Sequence, residues 1–140
     1  MPLRITIPQD PSPADREAVG VPLRAYNLAA GGDPGMRTVA VLLTDEAGQH
    51  VGGLWGKTVY QWLFVEWFAL PDAHRGQGHG TALMREAERI ARAQGCIGIW
   101  LDTFEFQARG FYEKLGFEVF GTLEDHPVGQ SRFFMRKRLA

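Results

Sequence analysis

The sequence predicts a mixed α/β fold, a mostly antiparallel central sheet containing one parallel βαβ unit. Three observations carry that prediction. An apolar run from Trp62 to Leu70 has the length of a strand, and a glycine-rich turn follows it. An amphipathic helix over 78–94 comes next, with Leu83, Ala87, Ile90 and Ala91 at spacings of four, seven and eight. Gly95 can close that helix in the left-handed conformation, after which Ile97 to Thr103 reads as a buried strand parallel to the first run. Such a strand–helix–strand crossover is right-handed.

The remaining elements follow in chain order. Leu3 to Ile7 alternates apolar and polar residues as a short edge strand would, and Pro8 stops it. Two short helical pieces are expected next. The first covers Ala14 to Val19 behind Pro11-Ser12-Pro13, and the second runs from Pro22 to Ala30, ended by Gly31-Gly32. Thr38 to Thr44 and His50 to Gly56 flank Asp45-Glu46-Ala47-Gly48, which predicts an antiparallel hairpin. After the βαβ unit a shorter helix is expected over about Gln107 to Leu115, closed by Gly116. Phe117 to Phe120 then pairs with Arg132 to Arg138 across a turn containing Pro127 and Gly129.

A chain of 140 residues is expected to form one domain, 1–140, with no linker or repeat dividing it. A formal net charge of −1 supplies no field for nucleic acid, and the C-terminal Arg132, Arg136, Lys137 and Arg138 read as a solvated strand face. No apolar run reaches membrane length and no secretory h-region opens the chain, so a cytoplasmic protein without a membrane partner is expected. The single cysteine, Cys96, reads as a packed thiol. His50, His74, His79 and His126 lack metal-ligand spacing, and no metal is expected.

The chemistry concentrates in Arg75-Gly76-Gln77-Gly78-His79-Gly80-Thr81. Three glycines at a helix start cost roughly 0.5 to 1 kcal/mol each relative to alanine, so helix stability did not select them. A helix N-terminus presents unpartnered N–H groups and the positive end of the helix dipole, and glycine lets an anion come close. Gly78 to Thr81 carries no acidic residue that would neutralise that end, and Arg75 adds a guanidinium. The alternative is a merely flexible loop. Neither a nucleotide P-loop string nor the dinucleotide G-x-G-x-x-G occurs, which disfavours ATP and NAD.

Arg75, Gly78 and Gly80 fill a spacing that resembles the cofactor motif of the GNAT superfamily of acyl-CoA-dependent N-acetyltransferases. Downstream, Ala108-Arg109-Gly110-Phe111-Tyr112-Glu113-Lys114-Leu115-Gly116-Phe117 looks like the same superfamily's second signature. The resemblance is specific from about Phe64 to Phe120 and implies a GNAT-like acyl-CoA N-acyltransferase fold. It also implies that the strands around the glycine turn splay, so that pantetheine pairs with the backbone of Phe68, Ala69 and Leu70. The pyrophosphate would then sit on Arg75, Gly76, Gln77, Gly78, His79, Gly80 and Thr81, with Ala108 alongside the cofactor. Tyr112 matches the family tyrosine that protonates the departing thiolate; otherwise it is a helix tyrosine packed with Phe111 and Leu115.

A base is still required, because an acceptor amine arrives mostly as ammonium. Glu66 is the only ionisable residue between Trp62 and Leu70, and strand alternation would place it on the face of Phe68 and Leu70. It could equally be a solvated carboxylate or one paired with arginine. Asp102 and Glu105 are the reserves, and Glu105 departs from the Asn that many such proteins carry. An N–H near Leu70 is the candidate oxyanion donor.

The expected activity is transfer of acetyl from acetyl-CoA to a primary amine of a small molecule or peptide, by direct ternary-complex transfer. Two rivals stand beside it, a non-catalytic acyl-CoA-binding or sensing module and an O- or longer-chain acyltransferase. A homodimer through the C-terminal strands is the expected assembly.

Overall fold

The structure is a computed structural model that describes residues 1–139. It comprises two compact units, residues 1–34 and 35–140.

In the first unit, residues 3–7 form no strand. Alternation alone cannot make one, because a strand exists only where a neighbour supplies ladder hydrogen bonds. The two expected helical pieces are one helix, α1 (Pro13–Gly31), with Pro22 inside it. Ser12 and Asp15 form a reciprocal capping box at its start, with Pro13 in the first turn where its missing N–H costs nothing. Pro22 removes one helical hydrogen bond, but Ala25, Leu28, Ala29 and Ala30 are strong helix formers and carry the helix across it.

The second unit is a six-stranded sheet in the order β1-β2-β3-β4-β6-β5, formed by β1 (Arg37–Thr44), β2 (His50–Val59), β3 (Trp62–Ala69), β4 (Gly98–Phe104), β5 (Glu118–Glu124) and β6 (Ser131–Arg138). Among the described residues only β3 and β4 pair in parallel, joined through helix α2 (His79–Ala93). Helix α3 (Arg109–Lys114) connects β4 to β5. The expected βαβ unit, both hairpins and the mixed sheet are therefore present. Asp45 fixes the first hairpin turn, its Oδ1 accepting from Ala47 N–H and Gln49 N–H at 2.9 Å each.

The core lies on one face of the sheet. Val39, Leu54, Leu63, Val65, Ile99, Leu101 and Met135 are buried against Met84, Ala87 and Ala91 of α2 and against Tyr112 of α3. Cys96 is part of this cluster, and burial pushes its thiol pKa up, consistent with a packed thiol. Strands β2 and β3 approach closely at Gly56, where a Cβ would lie 2.2 Å from the Phe64 carbonyl oxygen. Next to it the register slips by one residue. Trp55 faces Trp67 while Gly56 faces Val65, which leaves Glu66 as the extra residue of a β-bulge.

Candidate active site

The parallel pairing of β3 with β4 stops early. Trp62–Gly98, Leu63–Ile99, Phe64–Trp100 and Val65–Leu101 are partners, yet β3 runs on to Ala69 and β4 to Phe104. Beyond Val65 and Leu101 the strands separate, and the edge of β3 that faced β4 has no strand beside it. A cleft of about 1050 Å³ opens there, lined by Val65 to Leu70 on one wall and Leu101 to Phe104 on the other. An exposed strand edge is a row of N–H and C=O groups ready to pair with an extended ligand.

The start of α2 also lines the cleft. Its N-cap, Gly78, is left-handed (φ 84°), as is Gly76 (φ 74°), and a Cβ on either would meet nothing within 4 Å. Backbone conformation therefore selects these two glycines. Ala82 N–H bonds to the Gly78 carbonyl, so the amides before it in the first turn lie outside the helical ladder, and no acidic residue shields them. Gly80 has a different reason. A Cβ there would lie 3.2 Å from Phe111 Cζ and 3.4 Å from Phe68 Cζ, so its absence allows the two rings to pack on the helix. Arg75 organises the turn, its Nε donating to the Leu70 carbonyl at 2.9 Å and its Nη1 lying 3.0 Å from Asp72 Oδ1.

Tyr112 lines the cleft at 6% exposure, surrounded by the rings of Phe68, Phe111 and Phe117 at centroid distances of 6.2, 5.2 and 5.9 Å. Burial, helped by the negative charge of Asp102, pushes its phenol up to about 12. The Tyr112 phenol is therefore neutral across the physiological range. Its helix is moored by Thr103 and Gln107: Ala108 N–H donates to Thr103 Oγ1 at 3.4 Å, and Phe104 N–H donates to Gln107 Oε1 at 2.8 Å.

Glu66 lines the cleft, but on a different face from the one that alternation implies. The bulge breaks the period of two. Phe68 lies opposite buried Leu54 on the core face, whereas Glu66 Oε1 lies 3.5 Å from Nζ of Lys57, whose neighbours Gly56 and Thr58 are the buried positions of β2. Its pairing partner is thus lysine, where the sequence alternatives were an arginine partner or none. Asp102 also lines the cleft and accepts from Arg132 Nε at 2.9 Å, while the exposed Glu105 lies outside the lining.

Of the residues singled out from the sequence, the cleft brings together Glu66, Phe68, Ala69, Leu70, Arg75, Gly76, Gly78, His79, Gly80, Thr81, Ala108 and Tyr112. Gln77 is not in the lining; its Oε1 lies 3.2 Å from His79 Nε2. The lining also includes Trp67, Thr103, Phe104, Phe106 and Arg132, to which the sequence reading assigned no site role. For Thr103 the signal was available, since it shares the buried parity of Ile99 and Leu101. Arg132 lies thirty positions from Asp102, and nothing local links them.

A family model described as the acetyltransferase (GNAT) family matches residues 5–117. The chain belongs to the GNAT acetyltransferase family. It is 38% identical over 122 residues to an acetyltransferase of Agrobacterium fabrum, covering 87% of this chain and 89% of that one. It is 35% identical over 105 residues to the blasticidin-S acetyltransferase of Streptomyces morookaense, covering 74% and 77%. The crystal structure of a protein of Agrobacterium tumefaciens assigned as an acetyltransferase superposes with a TM-score of 0.91 at 33% identity, over 98% of this chain and 100% of that one. A Bacillus anthracis protein assigned as a streptothricin acetyltransferase, solved with acetyl coenzyme A, shares the fold at 20% identity and a TM-score of 0.66, over 74% of this chain and 63% of that one. As a GNAT acetyltransferase the chain carries out acyl transfer that depends on acetyl-CoA. Among the described residues, no helix is long and apolar enough to cross a membrane, and no three His, Cys, Asp or Glu side chains cluster as a metal site.

Proposed function

We propose that this GNAT acetyltransferase moves acetyl from acetyl-CoA to a primary amine within a ternary complex, without an acyl-enzyme. The observation that carries this reading is the separation of β3 from β4 beyond Val65 and Leu101, in a cleft lined by both an unshielded helix start and a neutral buried phenol. Acetyl-CoA supplies the activated thioester. The open edge of β3 at Phe68, Ala69 and Leu70 fits the amides of its pantetheine arm, and the amides of Gly76 to Thr81 fit its pyrophosphate. A structure of the same fold that holds acetyl coenzyme A supports this fit.

In this reading Glu66 accepts the proton the amine must lose, directly or through water. The Leu70 N–H donates to the oxygen that gains charge as the amine nitrogen bonds to the acyl carbon. Tyr112 gives its phenol proton to the departing thiolate. Positioning the amine beside the thioester supplies a large share of the acceleration, since effective molarities of oriented groups reach about 10⁵ M or more.

A panel of primary amines assayed for free thiol release, with products weighed by mass spectrometry, tests the proposal. An acetylated amine formed in step with thiol confirms it. Tight acetyl-CoA binding with no transfer to any amine would identify a sensing module instead.

A further inference from the structure

The two faces of the sheet divide the cleft. Phe68 faces the core through Leu54, and Gly80 and Phe111 meet it there. Trp67 pairs with Trp55 on the opposite face, the two being 72% and 44% exposed. Across the opening, Thr103 is buried on the core face, so Asp102 and Phe104 alternate onto the face of Trp67. Phe106, 63% exposed, stacks on Phe104 with centroids 5.3 Å apart and planes 8° from parallel.

The charges on this side are matched within the sheet. Glu66 lies beside Lys57, and Asp102 accepts from Arg132, whose guanidinium also sits 5.2 Å above the Phe104 ring. A polycationic acceptor would be served by carboxylates without cations of their own, and a phosphorylated one by cations without carboxylates. This side presents neither. Its lining includes two large exposed rings, Trp67 and Phe106, together with Glu66, whose lysine partner lies at 3.5 Å, longer than a direct hydrogen bond.

We propose that this side of the cleft selects a primary amine carried on a planar aromatic ring, the ring resting against Trp67 and Phe106 and the amino group directed toward Glu66. The choice of acceptor deepens the amine-transfer reading above and rests on it for the reaction alone. Aromatic pairs gain from offset or edge contact beyond the area they bury, and a saturated ring of equal size forgoes that gain.

The test is calorimetric titration of phenethylamine and of its ring-saturated analogue into protein saturated with coenzyme A. The aromatic amine is expected to bind about tenfold more tightly, as two ring contacts imply. Trp67→Ala and Phe106→Leu should each reduce that preference to about threefold. Equal binding of the two amines, or a preference that neither variant changes, would overturn the inference, as would tighter binding of a polycationic aminoglycoside. Thiol release measured in parallel separates the two claims. Aromatic preference in binding without acetylation of any amine upholds this inference and defeats the transfer reading. Acetylation with no aromatic preference does the reverse.

Discussion

Arg75 turns back on the strand it follows, its Nε donating to the carbonyl of Leu70 at 2.9 Å. One side chain thus ties the end of β3 to the glycine turn, joining the edge proposed for pantetheine to the amides proposed for pyrophosphate. Arg75→Ala should therefore weaken coenzyme A binding by about tenfold, the scale of a lost charge-assisted hydrogen bond. Lysine should rescue poorly, because a point charge cannot reproduce the guanidinium fork. Calorimetry on both variants checks this, and unchanged affinity would dismiss the role.

Gly80 predicts a packing effect. Valine there would drive Phe111 and Phe68 off the start of α2, at a cost of about 1 to 3 kcal/mol as in other overpacked cores. Chemical denaturation should register that loss, and coenzyme A affinity should fall with it. A variant as stable as the parent would mean that the rings move aside freely.

Tyr112→Phe should reduce turnover by roughly 10²- to 10⁴-fold, the range for general-acid assistance, while coenzyme A affinity holds. Its titration makes a second prediction. The folded pKa of about 12 lies above the unfolded value near 10, so the phenol's contribution to stability is complete below about pH 10 and is lost as pH rises toward 12. The stability difference between parent and Tyr112→Phe should narrow across that window in denaturant titrations. A difference independent of pH would contradict the raised phenol pKa.

Glu66→Gln should slow the reaction by about 10²-fold near neutrality if the carboxylate accepts the amine proton. The deficit should shrink as pH approaches the amine's own pKa, where the acceptor arrives already neutral. A deficit constant with pH would leave Glu66 a structural partner of Lys57.

The sequence was most legible where period and breakers agreed. Gly78, the stripe Leu83, Ala87 and Ala91, and Gly95 define α2 and its flanking strands, and the cleft follows from that topology. Legibility failed at four kinds of place. Residues 3–7 alternate convincingly, yet alternation cannot supply a neighbouring strand. Pro22 looked like a boundary, but its flanking helix formers outweigh one missing hydrogen bond. Glu66 was counted onto the wrong face because one extra residue in β3 is invisible to a period of two. The Asp102–Arg132 contact was unreadable for another reason, since it is created by β6 folding back beside β4.

That extra residue in β3 is coupled to Gly56, whose missing side chain leaves room for the Phe64 carbonyl. Position 56 is consequently closed to variation, and a saturation library should return glycine there almost exclusively. New acceptor preferences must arise elsewhere, on Trp67, Phe104 and Phe106, which can diversify while the half of the cleft around Phe68 and α2 stays as inherited.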